Sequence, residues 1–361
     1  MSRIAPFLPA FGLRVFGLRA FGLRALGLRG IALLALVLVL VACSEQGATP
    51  QAAAPGDAPA APLKVVLQTD WYPQPEHAGF YVAQAKGYYR DAGLDVEIRP
   101  GGNAVSVPQL VATGRVQFGI GTTDNLMVAQ SRGVPLVSLF PYFQHDPQCV
   151  MFHKSAGIRT LADLDGRTVM VNPGAAYVAY LQKSLGIRLQ LVPMDFSLAR
   201  FLKDPTFIQQ CFLTSEPWYV AQQGVEPGVL PLSSSGFDPY RVVFANAEFV
   251  AEHPEQVRAF IAASLRGWRE YADGDDGAVH ALLAKLNPQQ TLDHMAWTRK
   301  EMSARALIEG NVAAGEGLGH VSRTRVRQLE QQLTALGLLA GPVPIERAFK
   351  LELLPPGLVK E

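Results

Sequence analysis

The stretch LDVEIRPGGNAVSVPQLVATGRVQFGIGTTD, residues 94–124, decides the fold. Leu94, Val96 and Ile98 alternate with Asp95, Glu97 and Arg99, the period-two signature of a strand with one wet face. Val107 to Thr113 reads as a helix. Gln117-Phe118-Gly119-Ile120-Gly121 is a buried strand closed by Thr122, Thr123 and Asp124. Strand, helix and strand in about thirty residues make a βαβ unit. A chain of such units predicts a mainly parallel sheet covered on both faces.

The pattern extends both ways. Upstream, Lys64 to Leu67 is a short strand, and Glu76 to Ala92 reads as one helix with Phe80, Ala83 and Gly87 facing inward. Downstream, Met127 to Arg132 and Leu136 to Tyr142 continue it. The same order then restarts: a strand at Arg167–Val171, a helix at Tyr177–Leu185, alternating Ile187, Leu189 and Leu191, and a helix at Ser197–Lys203. A strand at Gln210–Thr214 and a helix at Pro217–Gln223 follow. From Tyr240 the character changes, with one strand (Arg241–Ala245) and long helices at Pro254–Asp273 and Ala278–Leu286. The expectation is two α/β lobes around a cleft: residues 63–148 and 243–361 in the first, 149–242 in the second. The hinge falls near Gln144–Met151 and Ser235–Val242. Ligands of open α/β sheets bind beyond the carboxyl ends of the strands, so the strand-to-helix junctions are the places to inspect.

The amino terminus bears on the compartment. Residues 1–29 have no acidic residue and carry Arg3, Arg14, Arg19, Arg24 and Arg29. About a dozen apolar residues follow, Ile31 to Ala42, the length of a secretory h-region and short of the roughly 18–20 needed to span a bilayer. They end in Leu40-Val41-Ala42-Cys43, which resembles a bacterial lipobox. That resemblance implies a signal peptide over 1–43 and acylation of Cys43, with the mature protein anchored to a membrane by lipid. A plain signal peptide or an uncleaved anchor is the competing reading. Phe-Gly-Leu-Arg recurs with a period of five at Phe11, Phe16 and Phe21, a spacing that builds no single helical face. Residues 44–62 are small, polar or proline and read as a flexible linker.

The formal net charge of +1 gives no footprint for nucleic acid. Cys149 and Cys211 remain after Cys43. They could pair in an oxidising compartment, or stay as two buried thiols.

A family resemblance rests on Trp71-Tyr72-Pro73-Gln74-Pro75-Glu76-His77-Ala78-Gly79-Phe80-Tyr81, on Lys86-Gly87-Tyr88-Tyr89 and on Gly93-Leu94-Asp95-Val96. Asp163-Leu164-Asp165-Gly166-Arg167, Thr214-Ser215-Glu216-Pro217 and Pro254-Glu255-Gln256-Val257 add to it. Over roughly residues 63–350 the chain resembles substrate-binding proteins linked to thiamine-pyrimidine precursors. The wider group takes up pyrimidines, riboflavin-like compounds, sulfonates or nitrate. The resemblance implies the type II periplasmic-binding architecture, an ABC importer permease and ATPase as partners, and no cofactor.

In that frame Trp71 and Tyr72 follow a strand, and His77 and Tyr81 lie on the first helix, where aromatic faces could sandwich a flat heterocycle. They could equally fill the core beneath that helix. Thr122, Thr123 and Asp124 could bond a ligand's polar edge or cap the next helix. Asn172, Gly174 and Tyr177 mark a Pro-Gly junction whose backbone N–H groups could approach a ligand. Glu216 faces the cleft in the resembled family and suits an amino group or ring N–H; its other role is at a helix start beside Pro217. No arginine cluster suited to an inorganic anion or sulfonate stands at these junctions. The solute this reading favours is an aminopyrimidine, with a flavin next.

An enzyme is the alternative. The superfamily includes a pyrimidine synthase with a Cys-rich iron motif that uses pyridoxal phosphate and consumes its own histidine. Here Gln209-Gln210-Cys211-Phe212 holds one cysteine, and no metal-ligand constellation, G-x-S-x-G, H-E-x-x-H or P-loop is present. A sensor module that contacts a membrane receptor is a third class.

Overall fold

The computed structural model describes residues 61–172, 174–274 and 277–361. The expected signal peptide, Cys43 and all but the last two residues of the expected linker lie outside the described residues.

The first run of elements is β1 (Leu63–Gln68), α1 (Ala78–Ala85), α2 (Tyr88–Asp91), β2 (Leu94–Arg99), α3 (Val107–Ala112), β3 (Phe118–Thr122), α4 (Thr123–Ser131) and β4 (Leu136–Phe143). The second is β5 (Gln148–His153), β6 (Thr168–Val171), α5 (Ala176–Ser184), β7 (Gln190–Pro193), α6 (Ala199–Lys203), β8 (Ile208–Phe212), α7 (Glu216–Gln222) and β9 (Pro227–Pro231). The chain then returns through β10 (Arg241–Asn246) to α8 (Ala247–Glu252), α9 (Pro254–Asp273), α10 (Gly277–Leu286), α11 (Leu292–Ala304) and α12 (Arg323–Ala335).

These strands build two five-stranded sheets, β2-β1-β3-β10-β4 and β7-β6-β8-β5-β9. The expected two-lobed α/β class is what the structure has. The sheets are mixed rather than mainly parallel. β10 runs antiparallel to both β3 and β4, and β5 antiparallel to both β8 and β9. In each sheet the reversed strand is the one that arrives from, or leaves for, the other lobe. Arg241 and Val242 already pair with Thr122 and Gly121 in the first sheet, two residues before the return expected at 243.

The segment read as one helix from Glu76 to Ala92 is three pieces. Gly87 takes the left-handed conformation, φ +79°, and stops the run between α1 and α2. α1 is short but tightly seated. A Cβ on Gly79 would lie 2.2 Å from Cδ2 of Trp268, and one on Gly267 would lie 2.2 Å from the carbonyl oxygen of Gly79. Two glycines therefore let α1 and α9 approach backbone to side chain, with Phe80 and Trp268 edge to face at 5.4 Å between centroids. That contact fixes the turn carrying Glu76 and His77.

In the second sheet Cys149 lies opposite Cys211 on the antiparallel β5–β8 pair, and the two form a disulfide. The pattern of side chains along the sequence left pairing open because register between distant strands is set by the sheet as a whole.

The crossing segments are tied together. Asp238 accepts from the backbone N–H of Asp146 at 3.1 Å and from His145 Nδ1 at 2.5 Å. Arg325 of α12 donates to the Asp238 carboxylate at 2.9 Å.

Candidate functional site

A cavity of about 110 Å3, open to solvent, lies between the two sheets at the carboxyl ends of their strands. Asp70, Trp71, Gln74, Glu76 and His77 follow β1. Met194 and Phe196 follow β7, and Gln210, Phe212, Ser215 and Glu216 come from β8 and the start of α7; Arg241 opens β10.

Its polar floor is an ion-paired group. Arg241, 5% exposed, pairs through Nη2 with Asp70 and donates from Nε to the Tyr142 hydroxyl at 3.0 Å. Asp70 also accepts from His77 Nε2 at 3.2 Å. Burial alone would raise the Asp70 pKa, but the Arg241 charge and the His77 hydrogen bond outweigh it and hold the group at about 2. His77 Nδ1 is buried and has no hydrogen-bond partner.

The side wall carries two more carboxyls. Glu76 accepts from the Thr214 hydroxyl, and burial pushes its pKa up. Glu216 accepts from the backbone N–H of Phe212 at 2.7 Å, the helix-start role, while still lining the cavity. Burial, opposed by backbone hydrogen bonds, brings Glu216 to about 7. The rest of the lining is flat and apolar. Trp71 meets Phe196 at 5.2 Å between centroids, and Tyr72, 49% exposed, stands edge-on to Trp71 outside the cavity.

The lobes touch beside the cavity. Thr298 of α11 donates to the carbonyl of Thr214 at 2.8 Å, and Trp297 lies 5.4 Å from Trp218 of α7.

Of the residues singled out from the sequence, the structure brings Trp71, His77 and Glu216 together in this cavity. Asp124 and Tyr177 line a smaller chamber. Tyr81 is 2% exposed and lies in the main core; burial raises its pKa to about 12. Thr122 accepts from the Asn125 side chain at 2.9 Å, and Thr123 accepts from the Tyr240 backbone N–H at 3.0 Å, so both hydroxyls serve local structure. Asn172 and Gly174 are exposed at the start of α5, and the Asn172 side chain accepts from the N–H of Gly174 at 3.2 Å. Arg241, Phe196, Gln210 and Asp70 were missed. A single arginine, Arg241, stands at these junctions, and its charge is met by Asp70.

The fold is that of the periplasmic solute-binding proteins. The aliphatic sulphonate binding protein SsuA of Escherichia coli superposes with a TM-score of 0.61 at 14% identity, over 80% of this chain and 92% of that one. The model of the NMT1/THI5-like family matches residues 74–278, more than half of the chain, and the chain belongs to that family. Among its relatives is the riboflavin-binding protein RibY of Chloroflexus aurantiacus, 27% identical over 88% of this chain and 94% of that protein. The formylaminopyrimidine-binding protein of Halalkalibacterium halodurans is 25% identical over 79% and 89%. The 4-amino-5-hydroxymethyl-2-methylpyrimidine phosphate synthase THI11 of Saccharomyces cerevisiae is 25% identical over 58% and 71%.

Proposed function

We propose that this chain is the extracytoplasmic solute-binding component of an ABC importer, lipid-anchored through Cys43, and that it captures a flat nitrogen heterocycle. The observation that carries the reading is the cavity between the strand ends of two lobes, where an aromatic face, Trp71, stands beside the Glu216 carboxyl and the unpartnered Nδ1 of His77. Contacts drawn from both lobes exist only when the cleft is closed, so binding favours closure. The closed form is what a permease and ATPase would read. The Cys149–Cys211 disulfide suits an exported protein.

The Glu216 carboxyl at the cavity wall suits a solute bearing amino or ring N–H groups, an aminopyrimidine related to the thiamine precursor. A flavin is the second reading, supported by the riboflavin-binding relative that spans 88% of this chain. Catalysis is not part of the proposal. The groups that a cofactor-dependent synthase would need were not legible in the sequence, and two of the three relatives described are binding proteins.

Calorimetric titration with aminopyrimidines, flavins, alkylsulfonates and nitrate tests the proposal. Binding of a heterocycle that depends on Trp71 and Glu216 supports it. Tight binding of a sulfonate or nitrate, indifferent to both residues, overturns it. So do multiple turnovers of a pyrimidine product that are lost in His77→Ala.

A further inference from the structure

Gln210 and Phe212 are half-buried, share one face of β8 and line the main cavity. The Gln210 amide is held from behind. Its Oε1 accepts from the Tyr177 hydroxyl at 2.5 Å and from the backbone N–H of Asn172 at 3.1 Å. A backbone N–H can only donate, so the atom turned to Asn172 is the oxygen, and that settles which way the amide points. Both anchors come from the junction between β6 and α5, and Tyr177 is buried.

The two lone pairs of that oxygen are therefore used on the protein. The Nε2 amino group is not: among the described residues it has no hydrogen-bond partner, and it stays open to solvent. Glu216 accepts from the N–H of Phe212 and lines the same cavity. One wall thus carries a fixed donor and a carboxyl. Other lining groups are less constrained. Gln74 and Ser215 also bring donors to the cavity, but among the described residues no hydrogen bond fixes which atom their side chains present. Arg241 gives Nε to Tyr142 and Nη2 to Asp70. A donor already locked in place loses little freedom when a solute arrives. The same locking makes it selective. A solute that sets a C–H or another donor against Nε2 leaves that group without water and without a partner once the cleft closes.

We infer that Gln210 is a specificity-determining residue of the cleft: its Nε2 donates to a ring nitrogen or carbonyl oxygen of the solute, with Asn172 and Tyr177 holding the amide in that orientation. The inference rests on the solute-binding reading. It adds that the solute must carry a hydrogen-bond acceptor besides the amino or ring N–H group that suits Glu216, so a flat aromatic amine without such an acceptor is rejected.

Titration of the full mature chain and of its Gln210→Glu variant at pH 8 tests this. The substitution keeps an oxygen for Asn172 and Tyr177 and replaces the donor with a carboxylate oxygen. The probes are riboflavin, 4-amino-2,5-dimethylpyrimidine and 2,5-dimethylaniline, which carries the amino group and both methyls of the pyrimidine on a ring of carbon alone. The unsubstituted chain is expected to bind riboflavin or the pyrimidine at least about tenfold tighter than the aniline. Gln210→Glu should weaken the tighter of those two by about tenfold or more and leave the aniline within about twofold. Gln210→Met combined with Tyr177→Phe removes the donor and its phenol anchor together, and serves with the same expectations where Gln210→Glu fails to fold. An affinity that survives the substitution, or a loss shared equally by the aniline, overturns the role of Gln210 and leaves the heterocycle reading standing. Binding of neither riboflavin nor the pyrimidine to the unsubstituted chain overturns both.

Discussion

Trp71 and Phe196 face each other from opposite lobes, ring centroids 5.2 Å apart and planes tilted by 39°. A flat ligand held between two rings needs roughly 7–8 Å, two carbon–carbon contact distances. No ring fits between them as they stand, so a stacked solute must move Phe196 or use the other face of Trp71. Phe196 is 55% exposed, and its backbone holds φ +61°, a conformation non-glycine residues seldom adopt.

Trp71→Ala is expected to weaken heterocycle binding by about 1–2 kcal/mol, about tenfold, through lost stacking and lost contact area. Phe196→Gly should leave the thermal stability of the empty protein unchanged or slightly raised, because glycine suits the left-handed backbone. Calorimetry on both variants checks this, and a loss of stability in Phe196→Gly contradicts it.

The carboxyls at the cleft make opposite contributions to stability as pH changes. Asp70 lies at about 2 in the folded protein, below its ordinary 3.8. It stabilises the fold above about pH 4, and that contribution is lost as pH falls toward 2. Asp146 and Glu216 are both raised to about 7. Between about pH 4 and 7 the folded chain holds more protons than the unfolded one, so stability falls as pH rises through that window. The empty protein should melt at a lower temperature at pH 8 than at pH 5, and Glu216→Gln should reduce the difference. A melting temperature that climbs from pH 5 to 8 would count against this assignment.

Breaking the floor is expected to be costly. Asp70→Asn leaves the Arg241 guanidinium buried without its counter-charge, at a cost of about 3 kcal/mol. Chemical denaturation should show the loss, and a neutral substitution would mean that solvent already screens the pair.

The disulfide closes a loop between residues 62 apart in sequence. Loop-closure entropy for that length gives about 4 kcal/mol of stabilisation. Cys149→Ala with Cys211→Ala should lower the denaturant midpoint accordingly. An unchanged midpoint would show that the unfolded chain is not loosened by losing the link.

Much of the architecture was legible because strand and helix periodicities are local. Leu94, Val96 and Ile98 announced β2, and the apolar run at 118–121 announced β3. Trp71 and Glu216 were legible as site residues because each follows a strand end. Arg241 was not, since it becomes a cleft residue only through the antiparallel return of β10 between β3 and β4. Phe196 and Asp146 sit in connections whose course depends on both lobes. Tyr81 was over-read: α1 is buried on all sides from Ala78 to Ala83, so no face of it is reserved for a ligand. Gly87 carries no signal that separates an inward helical residue from a left-handed stop.

The most direct test of the central claim is native mass spectrometry of the mature protein, purified from its own envelope without denaturation. A single non-covalent adduct is expected, with the mass and absorbance of a nitrogen heterocycle, diminished in Trp71→Ala. An adduct without a ring, such as an alkylsulfonate or an inorganic anion, would contradict it.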